Sequence, residues 1–260
     1  MDTDPILLYS VSNNFRKEFF MRLILSWVIV MITILLSAFI FPATWPLSTT
    51  ILLQDVIVLL IAILINHFVI KERIGLDFKS GLSNAIVLNI PTWFILTSAV
   101  TLALDPRYQK NLVLALSVAI SAAVFEEYFF RGMLLPYAIR HFNNQHAILI
   151  GVIVSSVLFG FSHMLNLGEQ PLEPTLIQGA SAFLIGLFMA AIYLRTHNLI
   201  WPILFHFTND FGSVISSGTA VYTSYLNPVR LLGTLILFGG LSAFYLRKDR
   251  QKQIKERFNF

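Results

Sequence analysis

A chain of 260 residues that is 56% hydrophobic and 12% charged, with a mean hydropathy of +0.73, lies outside the range of a soluble globular domain, where about 25% of residues are charged. Composition alone makes it an integral membrane protein, and the net charge of +4 needs no nucleic-acid partner to account for it. Cysteine is absent, which excludes disulfides, a thiol nucleophile and Cys-ligated metal.

Stretches long enough to span a bilayer, about 20 residues each, fall near 20–42, 51–70, 83–104, 112–137, 147–166, 175–195, 199–217 and 229–247. The expected fold is all-α, a polytopic helical bundle with about eight transmembrane helices. Ahead of the first span, residues 1–12 carry Asp2 and Asp4 and lack the basic n-region and small-residue cleavage site of a removable signal, so that span is expected to remain as an anchor. No linker or internal repeat divides the chain. The first three spans hold few polar residues, whereas the unusual intramembrane ones concentrate between 122 and 212. Residues 1–109 are therefore expected to be an N-terminal packing region ahead of a working core.

Lys and Arg set the expected orientation, because short loops rich in them stay cytoplasmic. Arg16, Lys17, Arg22, Lys71, Arg73, Lys79, Arg131, Arg140, Arg195 and the six basic residues of the 247–257 tail make 15 of the 18 on one side, against Arg107, Lys110 and Arg230 on the other. Both termini are expected in the cytoplasm, the protein in a plasma-type cell membrane, and the basic tail on anionic lipid headgroups.

Within the fourth span, Glu126 and Glu127 interrupt a hydrophobic run. Carboxylates at that depth are costly and mark a functional site by default. Ala115, Ala119, Ala123, Glu127 and Arg131 recur every four residues and form one stripe expected to face protein, pairing Glu127 with Arg131. Glu126 lies about 100° around the helix from Glu127 and is the carboxylate left free to act as a base. In the fifth span, His163 follows Gly160, which permits close approach by another chain or a substrate. In the seventh, His206 and Asp210 stand at i and i+4, so Asp210 either orients the imidazole or shares a cavity with it; Pro202 suits the first turn, and Thr208 and Asn209 extend the polar face. Asp55, placed near a helix end, and Asn66, His67, His141, His146 and His197 are weaker candidates.

Glu126-Glu127-x-x-x-Arg131, Phe159-x-x-x-His163 and His206-x-x-x-Asp210, in that order on successive polar-marked spans, resemble the CPBP intramembrane proteases, the Abi-like group that includes type II CAAX prenyl endopeptidases and bacteriocin-processing and self-immunity proteins. The resemblance covers about 110–217, leaving 218–260 as a last span and tail. It implies a membrane-embedded endopeptidase acting on a membrane-associated peptide or protein. Glu126 and His163 would activate water, His206 and Asp210 would stabilise the oxyanion or hold a metal, and Glu127 and Arg131 would support the site. Asp210 is a poorer oxyanion donor than an amide, which favours a positioning or ligand role for it.

The family has been called metalloprotease, and Glu126, His163 and His206 could supply three ligands to a divalent metal such as zinc. No two histidines stand in an HExxH arrangement, and a buried carboxylate can activate water directly, so an obligatory metal is the less favoured option. Two other functions fit the polar spans: a proton-coupled transporter, against which stands the lack of an inverted repeat, and a non-catalytic immunity or scaffold protein. One inconsistency remains in the predicted boundaries, which place His163 about 10 Å beyond the middle of its span at 1.5 Å per residue.

Overall fold

A computed structural model describes residues 5–78, 80–142 and 144–260, with side chains from residue 17 onward. Asp2, Asp4 and Lys79, which entered the anchor and orientation arguments, lie outside the described residues, as does the side chain of Arg16. Among the described residues ten helices follow one another: α1 (Pro5–Ser37), α2 (Leu47–Ile70), α3 (Leu82–Leu88), α4 (Ile90–Leu104), α5 (Gln109–Phe142), α6 (Ala147–Gly168), α7 (Leu172–Thr196), α8 (Ile200–Ser217), α9 (Pro228–Tyr245) and α10 (Lys248–Phe258). The chain is an all-α membrane bundle, and among the described residues no strand forms beyond a bridge between Leu76 and Asn198.

Among the described residues six helices, α1, α2, α5, α6, α7 and α9, are long and apolar enough to cross a membrane. The other two expected spans depart from that pattern for identifiable reasons. The segment at 83–104 is broken at Asn89 into α3 and α4, which meet at 69°. Pro91 causes the break, since it lacks an N–H and its ring collides with the preceding turn. Asn89 fills the gap, its amide donating to the Ala85 carbonyl at 2.8 Å and its oxygen accepting from the Thr92 hydroxyl at 3.2 Å. The segment at 199–217 does form α8, but His206, Asn209 and Asp210 make it too polar to pass as a span on hydropathy, and it lies against α4, α5 and α7.

Helix α5 is the axis of the bundle, with α2 on one flank, α8 on another and its C-terminal part against α6. The stripe of Ala115, Ala119, Ala123, Glu127 and Arg131 faces protein, all five being 0% exposed. The small side chains at Ala115 and Ala119 let Phe211, Val214 and Ile215 of α8 close against α5. Immediately after Glu127 the helix widens into a π-helical segment, Tyr128–Leu134, that carries Arg131. Such wide turns occur disproportionately at functional sites.

Helices α6 and α7 cross at a pair of glycines. A Cβ on Gly160 would lie 2.7 Å from the Gly179 carbonyl oxygen, and one on Gly179 would lie 2.9 Å from that of Gly160. The close approach expected at Gly160 is therefore made by α7 and not by a substrate.

At the opposite end, the basic helix α10 folds back on the bundle and buries Ile254 and Phe258. Arg140 holds it there, donating to the carbonyls of Phe258 and Asn259, each at 2.9 Å, and to both carboxylate oxygens of Glu72 at 3.1 Å. Burial pushes the Glu72 carboxyl above its ordinary range, and the adjacent Arg140 guanidinium pulls it back. Arg257 closes the seam by donating to the Arg195 carbonyl.

Candidate active site

Three helices deliver the polar side chains. Glu126 and Glu127 stand at the last α-helical turn of α5 before it widens. His163 stands where α6 tightens into its 3-10 turn, His163–Gly168. His206 and Asp210 share one face of α8. Helix α6 runs to Gly168, two residues past its expected end at 166, and His163 opens its terminal 3-10 turn, still beyond the middle of the helix.

Glu127 is the hub of the buried part. Its Oε1 accepts from Arg131 Nη1 at 2.7 Å and lies 2.9 Å from His206 Nδ1, with the Glu127 and Arg131 side chains fully buried. The sequence assigned Glu127 to Arg131 and left Asp210 either orienting His206 or sharing a cavity with it. In the structure the Nδ1 side belongs to Glu127, while Asp210 Oδ2 lies 3.2 Å from Nε2. Glu126 Oε2 also faces Nε2, at 3.6 Å. Both ring nitrogens thus face carboxylate oxygens, so the network must hold a proton on each nitrogen or on the carboxyl opposite it.

His163 is held differently. Its Nδ1 lies 3.0 Å from the Phe159 carbonyl oxygen, an acceptor only. That hydrogen bond fixes the proton on Nδ1 and leaves Nε2 as an acceptor. Phe159 organises the surroundings: its ring meets His163 and His206 edge-on at 5.2 and 5.7 Å and carries the Arg131 guanidinium over its face at 4.2 Å. Gly186 provides the room, since a Cβ there would meet Arg131 Nη2 at 3.0 Å and Phe159 at 3.2 Å.

Glu126, His163, His206 and Asp210 all line one cavity of about 330 Å³, and Glu127 and Arg131 stand behind its wall. Asp55 lines it too, which the sequence did not foresee. Asp55 was placed near a helix end with access to the interface, yet it lies inside α2 and accepts a 2.5 Å hydrogen bond from Ser121 of α5. A lone acid in an otherwise apolar span was the available signal. Asn166, Gln178 and Asn209 add amide groups to the wall.

The weaker candidates lie elsewhere. Asn66 bonds Glu72 and the Tyr128 hydroxyl, His197 Nδ1 lies 2.6 Å from Asp77, and His141 Nδ1 lies 2.8 Å from the Tyr137 carbonyl. His67 and His146 likewise do not line the cavity.

Among the described residues, no group of three or more His, Asp or Glu side chains is arranged to hold a metal ion. Glu126, His163 and His206, the possible ligands named from the sequence, are not gathered into such a group. The chemistry these side chains offer is that of carboxylates and imidazoles around a small polar cavity.

Residues 108–212 match the sequence profile of the Rce1-like family, described as type II CAAX prenyl endopeptidase Rce1-like. Searches of curated proteins and of solved structures returned no match. Glu126, His163, His206 and Asp210 all fall within the matched stretch, and this Rce1-like domain supports the resemblance to the CPBP intramembrane proteases.

Proposed function

We propose that the protein hydrolyses a peptide bond of a membrane-associated peptide or protein, using Glu126 and His163 to activate water. The observation that carries this reading is the convergence of Glu126, His163, His206 and Asp210, from three helices, on one cavity of about 330 Å³. In the proposed reaction, water forms a bond to the carbonyl carbon while its proton passes to Glu126 or His163 Nε2. General bases positioned in this way contribute roughly 10²–10⁴ in rate. The carbonyl oxygen becomes an oxyanion that accepts from His206 Nε2–H, and the C–N bond then breaks as the held proton moves to the leaving amine nitrogen.

In this scheme Glu127 orients His206 through Nδ1 and Arg131 neutralises Glu127, so neither touches substrate. Asp210 accepts from His206 Nε2 until a carbonyl oxygen takes that hydrogen bond, and is a positioning group. The catalytic core corresponds to residues 110–217. The region 1–109 supplies one cavity wall through Asp55, and 218–260 adds α9 and the tail helix. Both termini face the cytoplasm of a cell membrane.

The test is hydrolysis by the purified full chain in proteoliposomes, offered a pool of lipid-tethered peptides with and without a prenylated C-terminus, the products being read by mass spectrometry. The expected result is site-specific cleavage by the native chain and a loss of at least about 10²-fold in Glu126→Gln. Equal cleavage by the two proteins would overturn the assignment of the base.

A further inference from the structure

The cavity has its mouth at one end of the bundle. Its exposed and half-exposed lining residues include Ser213 near the end of α8, Ala220 and Tyr222 in the following loop, and Arg230 in the first turn of α9. Asn166 and Gln178, also in the wall, bring the same end of α6 and α7 to the rim. The Gln109 end of α5, the Gly168 end of α6, the Leu172 end of α7, the Ser217 end of α8 and the Pro228 end of α9 therefore lie on one side. The loop is tied down there, with the Tyr222 amide donating to Gln170 Oε1 at 3.1 Å and Gln170 donating to Gln178 at 2.7 Å.

The other end is closed. Phe125, Phe159 and Met189 also line the cavity, and none is more than 3% exposed. Phe188, Phe205 and Tyr193 fill the core beyond, with Phe205 and Tyr193 fully buried, and α10 covers that end under the Arg140 clamp. The closed end is also the basic end. Setting aside Arg131, which is buried beside Glu127 within α5, and Arg16 and Lys79, which the structure does not fully describe, leaves 15 − 3 = 12 Lys and Arg there against three at the mouth. Charge of that asymmetry marks the closed end as cytoplasmic.

We infer that the site opens to the extracytoplasmic face, and that its substrate is a polypeptide segment presented outside the cytoplasm, not a cytoplasmic C-terminal tail. What enters rests on the peptidase reading; where the mouth lies does not. Among the described residues Arg230 is the one Lys or Arg in the cavity wall, which also holds Asp55, Glu126 and Asp210.

Because the chain has no cysteine, single-cysteine variants report accessibility without background. Ala220→Cys and Ser213→Cys at the mouth, and Lys252→Cys on α10, are treated with a charged, membrane-impermeant maleimide on intact cells and again after permeabilisation. The expected result is modification of the two mouth positions in intact cells and of Lys252→Cys only after permeabilisation. Modification of Lys252→Cys in intact cells, with the mouth positions reacting only after permeabilisation, would overturn the inference. Labelling involves no hydrolysis, so it decides the side of access even if the chain cleaves nothing. For substrate class, the protein termini that disappear in Glu126→Ala are expected within extracytoplasmic segments, and their occurrence in cytoplasmic tails would overturn that part.

Discussion

Glu127 on α5 holds His206 on α8 by a single oxygen, Oε1, that also accepts from Arg131. This one atom links the buried ion pair to the imidazole that faces the cavity. The ion pair and the ring are thereby joined in one chain of hydrogen bonds.

Removing one partner of a buried pair strands a charge and costs about 3–5 kcal/mol, whereas replacing both by apolar groups of similar volume is close to neutral. Glu127→Ala is accordingly expected to reduce the thermal stability of the purified protein sharply. The double variant Glu127→Leu with Arg131→Met is expected to recover most of that stability while hydrolysis stays lost, because His206 Nδ1 has no carboxylate to hold it. A double variant that recovered both stability and turnover would show that orientation of His206 does not matter.

The glycine crossing of α6 on α7 sets the distance between His163 and the rest of the site. Gly179→Ala places a methyl group against the Gly160 carbonyl, which is backbone and yields little. A destabilisation of about 1–3 kcal/mol is expected from such overpacking, measured as a lower Tm, together with loss of hydrolysis. Gly168→Ala, where a Cβ would meet nothing within 4 Å, is the control and is expected to leave the Tm in place.

Arg140 fastens α10 to the closed end by two carbonyl hydrogen bonds and a forked contact with Glu72. Each hydrogen bond contributes roughly 0.5–1.5 kcal/mol, enough to change how often the tail opens without unfolding the bundle. Arg140→Ala is expected to make 248–258 sensitive to limited proteolysis, with the Tm of the membrane bundle little changed. A tail as resistant as in the native chain would show that burial of Ile254 and Phe258 alone holds it.

How much of this was legible in the sequence divides along one physical line. Relationships within a helix follow from its fixed pitch, so Glu127 with Arg131, and His206 with Asp210 on one face, could be read from a spacing of four. The apolar spans themselves were legible from length and hydropathy. Relationships between helices depend on how each is rotated and how deep it sits, and an all-apolar membrane helix carries no contrast between its lipid and protein sides. The contact of Glu127 with His206 and the bond from Ser121 to Asp55 were invisible for that reason. Asn89 was hidden otherwise: Pro91 signalled a break, but hydropathy averaged over 83–104 passed across it. The position of His163 depended on a change from α to 3-10 winding that propensity does not mark.

The central claim is that Glu126 and His163 activate water in a peptidase. Its most direct test is a comparison of membrane-protein termini in cells producing the native chain, Glu126→Ala or His163→Ala, with the three proteins inserted at equal levels. The account predicts a set of new termini present with the native chain and absent with both variants. The same termini in all three samples would contradict it.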